Sequence, residues 1–574
     1  MFTKIILIVV CTFCISFEAE SQTKAHSINQ KLARGVNLGN CLEAPSEGEW
    51  GVTWKAEYFK VMSDLGFNSV RIPTRWEPAS RSLAVVPYTI SETFFARMDQ
   101  VIKSALSNKL MAILNMHHHN VLFANPDANL ERFKSMWNQI ATRYKNVSDS
   151  LVFELLNEPN GNLTPVKWNT FLREGIQTIR AISPERTIII GTANWGGVGG
   201  LAELSWPDTD NLILTIHYYN PFQFTHQGAT WTGSDTQGWL GTTWNNTEVE
   251  RSVIESEFQT VKNFSSSKNI PVNIGEFGAF SSADIASRER WTTFCSRFFE
   301  KSGFSWNYWE FCSGFGFYNT TNKSFVEPLV RALLSNVMPE PTPVVKNQVY
   351  KMDFTGGSTN INVYAQQGGL ASGKVVDGAY KVTLTAPGAE NWHVQASIIN
   401  IKYEKGKTYQ IEFDAWADAA RTIGVTAGMN KDPWTTYSTL NLSLTNQKKP
   451  YSLQFRMTSA TDNTARLAFE LGKNVSAVYL DNIYIYEVVP VSIPIINKGS
   501  FAIYPNPVLQ QAFIESETAG FNYAIYNMSG CVEMIGESNE FRQLIDLSHI
   551  KRGIYMVEIK QLDGARKCRP IIKN

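Results

Sequence analysis

Between residues 34 and 311 the chain carries eight short apolar runs separated by helical stretches, and this alternation limits the fold more than any other feature. The runs are RGVNLG (34–39), FNSVRI (67–72), LMAILNM (110–116), SLVFELL (150–156), TIIIG (187–191), LILTIHY (212–218), PVNIGEF (271–277) and FSWNYWEF (304–311). Amphipathic patterns such as 91–107, 131–145 and 168–182 lie between them. Eight strands alternating with helices in about 300 residues predict an α/β fold of the (β/α)8 TIM-barrel type, with a doubly wound open sheet as the alternative.

The remaining length belongs to other domains, since 574 residues exceed what one hydrophobic core organises. Three prolines within 339–343 mark a linker over 337–346, which bounds the barrel to 25–336. Beyond it, 347–487 holds many short β-rich runs, such as KTYQIEFDAWA and AVYLDNIYIYE, and reads as a jelly-roll β-sandwich. A second break near 488–499 leaves 500–574 as a small C-terminal β-sandwich.

The first 21 residues have one Lys, an apolar run from Ile5 to Phe17 and small residues at Ala19 and Ser21, the pattern of a cleaved signal peptide. The mature chain is therefore expected to be exported. With Cys11 and Cys14 removed, Cys41, Cys295, Cys312, Cys531 and Cys568 form neither a disulfide framework nor a CxxC metal site; at most they allow a Cys531–Cys568 bridge. Zero net charge gives no reason to expect nucleic acid or an anionic membrane as partner, whereas 16 Trp and a 12% aromatic share suit stacking on sugar rings.

In a barrel the chemistry lies at the C-terminal strand ends. Those ends carry Asn37, Arg71, His117 and His118, Asn157 and Glu158, Asn194 and Trp195, His217 and Tyr219, Glu276 and Trp309. The carboxylates Glu158 and Glu276 end strands four and seven and face each other across the mouth, as glycoside hydrolysis requires. A gap of about 5–5.5 Å would mean retention and about 6.5–9.5 Å inversion, which the sequence leaves open. Arg71 and Tyr219 are available to keep a nucleophile ionised, Asn157 to donate to a sugar hydroxyl and Trp309 to floor the pocket. The run His117-His118-His119 does not make a zinc site, because alternate side chains of an extended strand point to opposite faces.

RGVNLGN, VRIP, NMHHH, LLNEP, HYYNP, IGEFG and WNYWEF, in this order, resemble family 5 glycoside hydrolases of clan A, over residues 33 to 335. The resemblance is to the cellulase (endo-β-1,4-glucanase) type and implies a retaining double displacement, with Glu158 as proton donor and general base and Glu276 as nucleophile. By the same resemblance Arg71, His117, Asn157, His217, Tyr219 and Trp309 match site positions, Asn37 and His118 match sugar contacts, and Glu43, His226, Trp231 and Glu310 align with pocket residues. His119 departs from the family pattern.

FDAWAD (413–418) and YLDNIYIYE (479–487) resemble family 4/9 carbohydrate-binding modules, with Trp434, Trp392, Trp416 and Tyr437 as the candidate stacking face. Such modules often hold a structural calcium; no other cofactor and no catalytic metal is implied. YPNPV (504–508), YNMSG (526–530) and LSHIKRGIYMVEI (547–559) resemble the sorting domains of the type IX secretion system. The expectation is a monomeric, secreted or surface-bound cellulase acting on β-glucan, with type IX secretion machinery as a partner. β-Mannanase or dual glucanase/mannanase activity is the alternative among enzymes, and a non-catalytic polysaccharide-binding surface protein the alternative outside them.

Overall fold

The computed structural model describes residues 23–207, 209–233, 236–490, 501–516, 519–527, 530–562, 564 and 566–573. The expected signal peptide lies outside the described residues, as does most of the expected break at 488–499. Contacts divide the chain into two compact units, one made of 1–226 with 255–338, the other of 227–254 with 339–574.

The first unit is a closed barrel of eight parallel strands in sequence order. They are β1 (Arg34–Asn37), β2 (Ser69–Ile72), β3 (Met111–Asn115), β4 (Leu151–Glu154), β5 (Ile188–Gly191), β6 (Leu212–Tyr218), β7 (Val272–Phe277) and β8 (Ser305–Tyr308). All are buried along their length except for the first residue of β1, as expected of strands walled in by helices. Ala25, Ile28 and Leu32 of the helix Lys24–Leu32 pack with Met111, Ile113, Val152, Ile189 and Ile213 and close the barrel floor. The opposite end is left for polar side chains.

Helix ends follow local chemistry. Asp284 accepts from the Ser287 N–H at 2.8 Å to cap Ile285–Lys301. The helices Pro126–Tyr144 and Pro165–Arg180 begin earlier than their apolar periodicity predicts, because proline at the first helical position has no N–H to leave unpaired. The doubly wound alternative falls, since β8 pairs with β1 and closes the sheet.

In the second unit, residues 344–490 form two facing antiparallel sheets around one apolar core. The expected linker ends within a strand, Val344–Met352, that pairs with Val478–Pro490. Residues 501–573 form a three- and a four-stranded sheet around Phe501, Ile503, Ile514, Ile525 and Val557. The allowed Cys531–Cys568 bridge does not form, and both cysteines are free and exposed. Cys531 precedes Val532–Ser538 at one edge of the four-stranded sheet, while Cys568 lies in Arg566–Lys573 at the other. Three strand spacings of about 4.8 Å exceed the reach of a disulfide.

Candidate active site

Arg71, at the end of β2, is fully buried and commits all its N–H groups. Nε and Nη2 form a two-pronged pair with Glu154 at 2.7 and 2.6 Å. Nη1 donates to Asn37 Oδ1 at 2.9 Å and to Glu276 Oε1 at 2.7 Å, and Nη2 also donates to Asn157 Oδ1 at 2.6 Å. Burial disfavours this cation, but Glu154 and Glu276 outweigh it and hold Arg71 above its usual range. Glu154 was not anticipated. Its signal is a carboxylate two residues after Val152, on the inward face of an otherwise apolar strand.

Glu276 reaches this hub through a break in strand alternation. Ile216 pairs with Ile274 but His217 with Glu276, and β8 advances two residues where β7 advances three. Gly275 is thus an extra residue, a bulge that turns Glu276 inward where strict alternation would aim it at the helices. Glycine is required there, because a Cβ would lie 2.5 Å from Thr215 Oγ1 and 3.0 Å from His217 Nε2. The Tyr219 hydroxyl donates to Glu276 Oε2 at 2.9 Å. Burial raises the Glu276 carboxyl, and His217 and Arg71 oppose the rise.

Glu158 lies four residues past the end of β4, farther along the loop than the apolar run predicts. Its Oε1 is 2.7 Å from His217 Nδ1, which is 3.6 Å from Glu276 Oε2. One oxygen of each carboxylate and one ring nitrogen of His217 fall within 4.8 Å of one another. Burial pushes Glu158 up to about 7; Arg71 opposes this, and the negative charge of Glu154 adds to it. One guanidinium therefore serves Glu154 and Glu276 directly, while among the described residues Glu158 has no Lys or Arg in contact.

His117 stacks on Trp309, with rings 5.7 Å apart and 13° from parallel, and its Nε2 is 4.0 Å from Glu276 Oε1. His118 packs edge-on against Trp50, and His119 turns to Glu77 at 3.4 Å, so the three histidines diverge. Asn157 keeps its Nδ2 without a partner among the described residues. Asn37 is the opposite case: fully buried, it donates to the carbonyls of Gly275 and Asn307 and accepts from Arg71, so no group remains for a sugar. Glu43 and Glu310 are likewise buried and spent on backbone partners. Glu43 accepts from the N–H groups of Asn40 and Cys41, and Glu310 from those of Cys312, Ser313 and Phe315. Both fasten loops, and burial raises them to about 8 and about 7. His226 stacks on Phe222 and meets Tyr219 edge-on, while Trp231 stands exposed on a short 3-10 turn of the 227–254 segment.

Residues 31–314 match the family model described as Cellulase (glycosyl hydrolase family 5). Endoglucanase B of Ruminococcus albus is 30% identical over 292 residues, which cover 46% of this chain and 68% of that relative. The chain belongs to glycosyl hydrolase family 5. Endoglucanase H of Acetivibrio thermocellus is 35% identical over 312 residues, 53% of this chain, though these span only 33% of that longer protein. Thermotoga maritima Cel5A, in a structure titled as a complex with mannotriose, is 47% identical with a TM-score of 0.53; the match covers 54% of this chain and 99% of that one.

This family 5 chain also matches a carbohydrate-binding domain over 346–476 and a secretion-system C-terminal sorting domain over 502–574. The sorting domain marks the protein for secretion to the cell surface or beyond. Within the binding domain the four aromatic candidates separate. Trp392 and Trp434 are 40% and 52% exposed, and Arg466 lies over the Trp434 ring at 5.0 Å. Trp416 instead stacks on Tyr479 at 5.1 Å with Lys448 over it, and half-buried Tyr437 packs on the core and donates to Asp462. Neither offers an open ring face.

Proposed function

We propose that the protein is an endo-β-1,4-glucanase that hydrolyses β-glucan with retention. The observation that carries this reading is that one oxygen of Glu158 and one of Glu276 lie within 4.8 Å of each other, which suits the closer-set retaining pair of about 5–5.5 Å better than an inverting pair of about 6.5–9.5 Å with a water between. Glu276, held by Arg71 and Tyr219, attacks the anomeric carbon and forms a glycosyl ester. Glu158, protonated at the pH where its partner is ionised, donates to the departing oxygen. It then takes a proton from the water that opens the ester, and the β-configuration returns. Asn157 Nδ2 donates to the sugar's C2 hydroxyl, and the Trp309–His117 stack lines the ring's path.

A second reading, a dual glucanase and mannanase, is favoured by the solved structures of Thermotoga maritima Cel5A, titled with cellobiose as well as with mannotriose. The two substrates differ at C2, the position given to Asn157. The 346–476 domain binds polysaccharide through Trp392 and Trp434, and secretion machinery of type IX is the partner of the C-terminal domain. Release of reducing ends from carboxymethyl-cellulose, galactomannan and xyloglucan, assayed side by side, tests the assignment. No release from the cellulose derivative removes the glucanase reading, and release from galactomannan at a comparable rate establishes the dual one.

A further inference from the structure

On the far side of the His217 ring from Glu158, three buried polar atoms have no hydrogen-bond partner among the described residues: His217 Nε2, Thr215 Oγ1 and Asn273 Oδ1. They are neighbours. Thr215 and His217 share the inward face of β6, and Thr215 is in register with Asn273 on β7. The Gly275 bulge borders two of them: a Cβ there would lie 2.5 Å from Thr215 Oγ1 and 3.0 Å from His217 Nε2, which puts a ceiling on their separation that is within the reach of one bridging water. A buried polar atom left unpaired loses its hydration with nothing in return, so a shared partner is strongly favoured.

The hydrogen positions then follow from chemistry. His217 Nδ1 faces two carboxylates, at 2.7 and 3.6 Å, and a lone pair there would be repelled by both, so Nδ1 carries the hydrogen. Burial and the Arg71 charge keep the ring to one proton, against the pull of Glu276, which makes Nε2 an acceptor. Asn273 already donates from Nδ2 to Ser305 Oγ and Asn307 Oδ1, which fixes its Oδ1 as an acceptor too. Of the three groups only the Thr215 hydroxyl donates.

We propose that Thr215 is a positioning residue for the acid. Its hydroxyl donates to one buried water, which donates in turn to His217 Nε2 and Asn273 Oδ1 and locks His217 in the Nδ1–H tautomer. Glu158 Oε1 is then always an acceptor, and the proton that shuttles to substrate sits on Oε2. This rests on the reading of Glu158 as acid and base. The charged or titratable groups around the ring are Glu158, Glu276, Arg71, Glu154, Tyr219 and His117, and none of them faces Nε2 with a hydrogen bond.

The test compares Thr215→Val and Thr215→Ser in the full chain. In T215V the other tautomer competes, the Glu158 carboxylate loses its donor and its pKa rises. The alkaline limb of kcat/KM then moves up by about half a pH unit or more, kcat falls, and T215S restores both. A T215V profile that overlays the unsubstituted enzyme overturns the proposal, as does a T215S profile shifted like T215V, which would mean packing alone. Imidazole nitrogen resonances of the unsubstituted protein serve if T215V does not fold. A protonated Nδ1 with an unprotonated Nε2 at His217 is expected, and a protonated Nε2 overturns the proposal. Full activity in E158Q would instead remove the acid assignment, and with it the role given to Thr215.

Discussion

Arg71 Nη1 donates to Glu276 Oε1 at 2.7 Å, the guanidinium shut off from solvent and the carboxylate nearly so. The contact sets the charge and the aim of the nucleophile together, because the same guanidinium is pinned from its other edge by Glu154. Lysine keeps the charge but not the fork. Arg71→Lys is expected to lower kcat/KM on the order of 10²-fold and to lower stability, read by steady-state kinetics and by denaturant unfolding.

The two carboxylates should separate by leaving group. Glu276→Gln abolishes turnover of every substrate while polysaccharide binding persists. Glu158→Gln loses about 10²–10⁴-fold on natural glucan, but forms the glycosyl ester readily from an aryl cellobioside whose leaving group needs no proton. A burst of phenol followed by slow turnover, with Glu276 labelled by a fluoro-sugar and mapped by peptide mass, checks both roles at once.

Activity should follow Glu158 on the alkaline side. The acid works only while protonated, so kcat/KM falls as pH rises through about 7, its raised value. Stability has the same sign at Glu43 and Glu310. Their folded-state pKa values, about 8 and about 7, exceed the 4.5 of a free glutamate, so the neutral forms favour folding. That contribution is complete below pH 4.5 and is lost as pH rises through 7 to 8. Melting temperature measured across this range should decline, and Glu310→Gln should flatten part of the decline.

Gly275→Ala places a methyl 2.5 Å from Thr215 Oγ1. The methyl would crowd both Thr215 Oγ1 and His217 Nε2, and a loss of about 1–3 kcal/mol is expected, together with a fall in kcat from the displaced His217. Unfolding curves and kinetics of the single variant suffice.

Removal of 347–487 should reduce activity on insoluble cellulose far more than on a soluble derivative. Trp434→Ala should weaken retention on insoluble glucan, and Trp416→Ala should act through stability, since the Trp416 ring is taken up by Tyr479 and Lys448. Pull-down on insoluble glucan and thermal melts distinguish the two.

Much of the barrel was legible in the sequence because each strand is an apolar run, and apolar runs report burial directly. Their ends were less so: Leu155 and Leu156 extend the run of β4 although the strand stops at Glu154, since loop residues under a mouth are buried as well. Residue type located Glu158, Glu276 and Arg71, because charge at a strand end has few innocent uses. It could not tell Asn157 from Asn37, two amides at the mouth ends of β4 and β1, one with a donor unpaired among the described residues and one fully spent. Glu154 and Thr215 were missed because their importance lies in their partners, which come from other strands.

The extra residue at Gly275 gives β7 a parity. Every side chain before it obeys one phase of the barrel and every side chain after it the other, so the nucleophile's aim depends on a count and not only on an identity. Ironing out the bulge with its residue retained would send Glu276 into the helical shell, whereas deleting Gly275 together with the bulge would keep Glu276 on the inward face but shorten β7 beneath it. Alterations of chain length in this strand are thus of a different kind from those in the loops, and loop length is where this scaffold has latitude to vary what it accepts.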